Sequence, residues 1–96
     1  MAAYVFAEIE VTDPAPYEEY RKQVLAVVTK YGGKFIVRGG KVDTKEGDWK
    51  PARMIALEFP SMEQAQKWYH SPEYAPALAL RIRAARSKVL LVEGAA

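Results

Sequence analysis

Trp68-Tyr69-His70-Ser71-Pro72-Glu73-Tyr74 decides how the second half of the chain folds. It gathers the only histidine, one of the two tryptophans and two of the six tyrosines, and it reads as the place where one helix stops and another begins. Ser71-Pro72-Glu73 is a start signal: a hydroxyl cap, a proline at the first helical position, and an acid near the positive end of the dipole. Pro76 then removes another amide, so the segment is predicted to break or kink before an Ala-rich stretch running to about Arg86. Upstream, Ser61-Met62-Glu63-Gln64 has the form of a capping box, in which the Ser61 hydroxyl accepts the Gln64 amide and the Gln64 side chain returns to the Ser61 amide. A short helix through Trp68 and Tyr69 is expected to follow. Lys88 to Glu93 reads as the last strand, with Val89 and Leu91 opposite Leu90 and Val92, and Gly94-Ala95-Ala96 as a tail.

The first half has the same kind of punctuation. Residues 3–11 alternate as a strand, with Val5, Ala7, Ile9 and Val11 on one face and Tyr4, Phe6, Glu8 and Glu10 on the other. Asp13-Pro14 starts a helix to about Tyr31, whose apolar positions Tyr17, Tyr20, Val24, Val27, Val28 and Tyr31 recur at helical spacing. Gly32-Gly33 stops it. Residues 34–38 form a second strand, which Gly39-Gly40 is expected to bend before Lys41-Val42 continues it toward a hairpin tip at Asp43 to Lys50. Trp49 on that tip is not expected to stay in water. Arg53 to Phe59 forms the third strand.

The order is strand, helix, strand, strand, helix, strand: an α+β ferredoxin-like βαββαβ plait in a single domain spanning residues 1–96. Right-handed crossovers place both helices on one face of a four-stranded antiparallel sheet and leave the other face bare. That face still carries large apolar residues, Phe6 and one of each strand's alternating pairs among them, with Glu8, Glu10, Lys34 and Arg53 as the polar residues that would wet it. A second copy packing sheet against sheet is the expected cover, so the chain is read as a homodimer closing an α/β barrel.

Composition excludes several classes. The chain has 96 residues, half of them hydrophobic, and no cysteine, so it is globular and without disulfides, thiolate nucleophiles or thiolate metal sites. There is no secretory leader pattern and no apolar run long enough to span a bilayer, so a cytoplasmic protein that does not enter membranes is expected. A net charge of +2 is too small to argue for nucleic acid. Arg81, Arg83, Arg86 and Lys88 do not share one helical stripe and read as a solvated helix surface. The plait shares its topology with RNA-binding domains, but Arg53-Met54-Ile55-Ala56-Leu57 offers no aromatic residue to stack a base.

Several runs together resemble a known family across nearly the whole chain: Tyr31-Gly32-Gly33-Lys34-Phe35, Arg38-Gly39-Gly40, Glu46-Gly47-Asp48-Trp49-Lys50-Pro51, Glu58-Phe59-Pro60-Ser61, Trp68 to Tyr74, and Glu93-Gly94. The chain resembles domain-of-unknown-function family thirteen-thirty, within the dimeric α/β-barrel superfamily. In the Trp68 to Tyr74 run the likeness is carried by Trp68, Ser71, Pro72, Glu73 and Tyr74 more than by His70. The resemblance implies a ferredoxin-like subunit that pairs through its sheet. It implies no particular activity; other branches of the superfamily include cofactor-free monooxygenases, lactone isomerases and haem proteins, with ligands held between sheet and helices.

Three side chains are candidates for catalysis. His70, the one imidazole in the chain, stands at the end of a short helix, where it would serve as a general acid or base, or terminate the helix as a hydrogen-bonded residue. Arg38 can offer its fork of donors to a carboxylate or enolate, or pair with Glu73 or Glu58. Tyr74, like Tyr4, can donate to an oxyanion or sit in the core with its hydroxyl satisfied. Glu73 reads as structural, capping amides or pairing with Arg81. One histidine and no cysteine support no metal site, haem would have only His70 as a ligand, and no Walker or dinucleotide motif is present, so no cofactor is expected. The expectation is a small-molecule protein acting without a cofactor on a small carbonyl, lactone or aromatic compound, or a non-catalytic ligand-binding or stress-related module.

Overall fold

β1 (Ala3–Val11) is the strand around which the chain is arranged, paired antiparallel on one side with β3 (Met54–Phe59) and on the other with β4 (Ala85–Glu93). β2 (Lys34–Arg38) pairs outside β3, giving the order β2-β3-β1-β4. α1 (Pro14–Lys30), α2 (Met62–Tyr69) and α3 (Ala75–Ala84) complete the chain, and the computed structural model describes residues 1–95. The expected tail residue Ala96 lies outside them. The fold is the ferredoxin-like α+β plait.

Alternation sets which side of the sheet the helices cover. Val5, Ala7 and Ile9 of β1 face Tyr17, Tyr20, Val24 and Val28 of α1 and the Trp68 and Tyr74 rings, all in one buried cluster. Gly32, at φ +83°, ends α1 in the left-handed conformation that a glycine adopts without a Cβ penalty. Gly33 is a matter of room: a Cβ there would stand 2.5 Å from the Phe59 ring.

Several boundaries differ from expectation, each for a local reason. Asp13 precedes α1 without a side-chain cap bond. Instead the Thr12 and Asp13 amides, at 2.8 and 3.0 Å, and the Thr12 hydroxyl donate to the Ala84 carbonyl, satisfying an orphan acceptor at the end of α3. α3 stops at Ala84 rather than near Arg86 because β4 starts at once, Ala85 pairing with Val11 to extend the sheet to the full length of β1. Half of the capping box forms: the Ser61 hydroxyl accepts the Gln64 amide at 3.1 Å, but the Gln64 side chain donates to the Tyr31 carbonyl at 2.9 Å, tying α2 to the end of α1. Lys41-Val42 does not continue β2. Residues 40–53 form an irregular loop, since Gly39, Gly40, Gly47 and Pro51 interrupt a stretch in which only Val42 and Trp49 are large and apolar. Trp49 remains 56% exposed and its indole N–H donates to Glu8 at 2.7 Å.

The uncovered face has an apolar row crossing all four strands. Val37 pairs with Ala56, Ala56 with Phe6, and Phe6 with Leu90. Rows of opposite charge flank it: Lys34, Glu58 and Tyr4 on one side, joined by a 3.1 Å ion pair and a 3.2 Å hydrogen bond, and Glu8 beside Lys88 on the other. Arg53, expected to help wet this face, instead lines the space under the helices.

Candidate functional site

Between the helices and the sheet lies a cavity with about 40 Å³ of water-accessible space. Its floor is Val5, Ala7 and Ile9 of β1 with Ile55 and Leu57 of β3, and its roof is built by Tyr17 and Tyr20 of α1, Trp68 of α2 and Tyr74. The Trp68–Tyr74 run shapes that roof through Ser71. The Ser71 hydroxyl donates to the Trp68 carbonyl at 2.8 Å and accepts the Tyr74 amide at 3.1 Å, closing a turn over residues 72–74 before α3 begins regularly at Ala75. The expected start signal therefore caps a turn rather than a helix running on from Pro72. The turn places the Trp68 and Tyr74 rings 4.4 Å apart, and the Tyr74 hydroxyl meets that of Tyr20 at 3.3 Å.

Arg38 reaches the cavity because of an irregularity. Phe35 pairs with Leu57 on the helix side; the register then shifts between Phe35 and Val37, so Val37 pairs with Ala56 on the open side and Arg38 with Ile55 on the helix side again. With strict alternation Phe35 and Arg38 would point to opposite faces. The Arg38 guanidinium stacks over the Phe35 ring at 4.4 Å, within cation–π range, and it is not paired with Glu73 or Glu58. Arg38 is exposed, so it lines the cavity from the solvent side.

Arg81 was expected on a solvated helix surface and is 5% exposed instead. It shares the buried stripe of α3 with Ala77 and Ala84, at the i, i+4, i+7 spacing of a core-facing helix side, and the two small alanines leave room for its long stem. Burial works to lower its pKa, but the surrounding phenols of Tyr74, Tyr20 and Tyr69 together hold it above the usual value. Burial, then the adjacent Tyr74 hydroxyl, pushes the Tyr20 phenol above its ordinary range, so it stays protonated and available as a donor. Among the described residues no carboxylate pairs with Arg81. Trp68 is 2% exposed, and its indole N–H and the Arg53 Nε–H are buried without a partner.

Of the three residues singled out in the sequence, the fold brings Arg38 and Tyr74 to this cavity. His70 does not line it. It is exposed at the end of α2, and its ring meets Tyr69 edge-on at 5.2 Å. Tyr4 lies on the open sheet face, bonded to Glu58. Glu73 pairs with neither Arg81 nor Arg38: it takes the Lys30 ammonium and, at 2.8 Å, the Tyr31 hydroxyl, and these bonds hold its carboxyl down at about 2. Sequence reading passed over Tyr20, Arg53 and Arg81. Arg81 had a legible signal in its spacing from Ala77 and Ala84; Arg53 had one in alternating with Ile55 and Leu57. No group of three or more metal-ligating side chains comes together among the described residues, and no helix among them is long and apolar enough to cross a membrane.

The sheet order and the helical layer define the ferredoxin-like class. Within it, the chain belongs to the family described as a domain of unknown function, DUF1330, whose profile matches residues 2–95. No curated protein sequence matches the chain. Solved structures do. A dimeric ferredoxin-like protein of unknown function from a Jannaschia species is similar at a TM-score of 0.77 and 12% identity, over 98% of this chain and 100% of that one. A protein of unknown function from Rhodopseudomonas palustris is similar at 0.73 and 17%, over 99% and 83%. SnoaB, a cofactor-independent oxygenase from Streptomyces nogalater, is similar at 0.66 and 14%, over 99% and 93%. At these identities the likeness establishes the fold.

Proposed function

We propose that this chain is a homodimeric small-molecule protein that pairs through its open sheet face into an α/β barrel, with one ligand cavity per subunit, and that it acts without a cofactor on a small carbonyl, lactone or aromatic compound. The observation that carries the reading is the cavity under the helices, apolar on its floor and supplied with buried hydrogen-bond donors in its roof and walls. A site of that composition holds an apolar body and orients one polar group. The dimeric ferredoxin-like neighbour supports the pairing, and the cofactor-independent oxygenase among the similar folds supports the chemistry.

In this reading Arg38 at the mouth and Tyr74 in the roof bind and polarise the ligand. His70, the third candidate for binding the ligand, stands outside the cavity wall with its ring edge-on to Tyr69, and it enters the test as the candidate without a contact to the cavity. The test is incubation of the purified protein, without added metal or flavin, with a panel of small phenols, lactones and β-dicarbonyl compounds, followed by oxygen consumption and mass spectrometry. Turnover that falls when Arg38, Tyr74 and His70 are replaced supports the reading. Undiminished turnover in the triple variant overturns the residue assignment.

A second reading is favoured by one feature of the wall: among the described residues it carries no carboxylate and no imidazole, so it offers no general base of ordinary pKa. A non-catalytic ligand-binding module fits that wall. A compound that binds and is recovered unchanged after long incubation decides for it.

A further inference from the structure

Among the described residues, every polar side chain that lines the cavity can donate a hydrogen bond, and none is acidic. Arg81 and Arg53 stand in its wall and Arg38 and Arg21 at its exposed edge. A guanidinium removed from water without a counter-charge is costly, yet the fold buries Arg81 among tyrosines with no carboxylate beside it among the described residues. Trp68 adds a second unmet need: its indole N–H can only donate, it is buried, and nothing accepts it. The Tyr20 and Tyr74 hydroxyls share one hydrogen bond, which leaves one of the two protons free for another acceptor. The rest of the wall, Val5, Ala7, Ile55 and Leu57, is apolar.

We propose that the cavity receives a small carboxylate, of the order of formate or acetate in size as its space of about 40 Å³ requires, with its charge against Arg81, its remaining lone pairs on the Trp68 indole N–H and a tyrosine hydroxyl, and its apolar end on the sheet. The inference rests on the small-molecule reading above and adds the charge of the ligand to it. Arg81 is a binding residue in this account, and an occupant of this kind meets the two unsatisfied requirements of the wall at once.

The experiment uses the full chain carrying Trp49→Phe, so that Trp68 is the single indole, and titrates it with formate, acetate and neutral acetamide while recording fluorescence and thermal stability. Formate or acetate is expected to change Trp68 emission and raise Tm, with acetamide at least about tenfold weaker. Tighter acetate binding identifies a site with room for an apolar end, and tighter formate binding a site for the carboxylate alone. Arg81→Met is expected to lose the anion preference by about tenfold or more while matching or exceeding the unliganded protein's Tm, because it removes an unpaired buried charge. Arg81→Lys is expected to keep the preference in weaker form, having the charge without the fork.

Equal binding of acetate and acetamide, unchanged by Arg81→Met, overturns the anion inference and leaves the cavity reading standing. A large loss of unliganded stability in both Arg81 variants also overturns it, since Arg81 would then be structural. Failure of all three probes to reach Trp68 overturns both.

Discussion

The Tyr20 and Tyr74 hydroxyls, 54 residues apart in sequence, meet at 3.3 Å in the roof of the cavity. Both residues are buried, so each hydroxyl depends on the other or on a bound acceptor. Tyr20→Phe is expected to cost about 1 kcal/mol, the net worth of a buried hydrogen bond together with the partner it strands. For a domain of this size that lowers Tm by roughly 4–8 °C. The double variant with Tyr74→Phe is expected to cost less than the sum of the singles, because no hydroxyl is then left unmet. Strictly additive losses in thermal denaturation would contradict the pairing.

Ser71 has the more demanding position, since its one hydroxyl both donates to the Trp68 carbonyl and accepts the Tyr74 amide. Ser71→Ala removes both bonds at a site only 6% exposed, and a loss of about 1–2 kcal/mol in urea denaturation is expected. The Trp68 and Tyr74 rings depend on that turn for their stacking. Near-ultraviolet circular dichroism should therefore weaken along with stability, and a stable variant with an unchanged aromatic spectrum would contradict the role assigned to the turn.

How much of this was legible in the sequence depends on whether a residue's surroundings come from its own element. The β1 alternation, the Ser61 cap and the Gly32 stop are local, and each was read correctly. Arg38 could not be placed on the helix side from sequence, because the register shift after Phe35 belongs to the pairing of β2 with β3. Arg81 misled in the other direction: an arginine is assigned to solvent by its charge, and its place on the buried stripe shows only when Ala77 and Ala84 are read with it. Gln64 was given to its own cap and went to Tyr31, a partner brought near by the packing of α1. His70, conspicuous as the one histidine, stands outside the wall, while the inconspicuous Tyr20 forms part of it.

Glu73 predicts how stability responds to acid. Its bonds to Lys30 and Tyr31 lower its folded pKa to about 2 from an ordinary 4.5. A carboxyl depressed on folding contributes stability that is fully present above its unfolded pKa and is lost as pH falls through its folded one. This contribution is therefore constant above about pH 5.5 and declines between about pH 4.5 and 2. Because the pair is on the surface, its size should shrink with added salt. Glu73→Gln is expected to flatten that part of the stability curve. An identical acid limb in the variant would assign the acid loss to other groups.

The apolar row Val37, Ala56, Phe6 and Leu90 predicts where the proposed dimer closes. Leu90 is 55% and Phe6 39% exposed in the single subunit, flanked on both sides by charged rows. Such a strip gives a partner an apolar centre with a polar rim, the arrangement of a stable interface. Two-fold pairing would bring each row against its own copy, so one substitution alters the interface twice. Leu90→Glu therefore places two carboxylates in the apolar centre and should convert the protein to the mass of one chain in sedimentation equilibrium. Arg83→Glu, on the exposed side of α3, should leave the mass unchanged. Because Leu90 points away from the helices, the Leu90→Glu monomer should retain its helical circular dichroism. If Leu90→Glu still sediments as a dimer, the subunits meet through another surface and the open sheet face is not the interface.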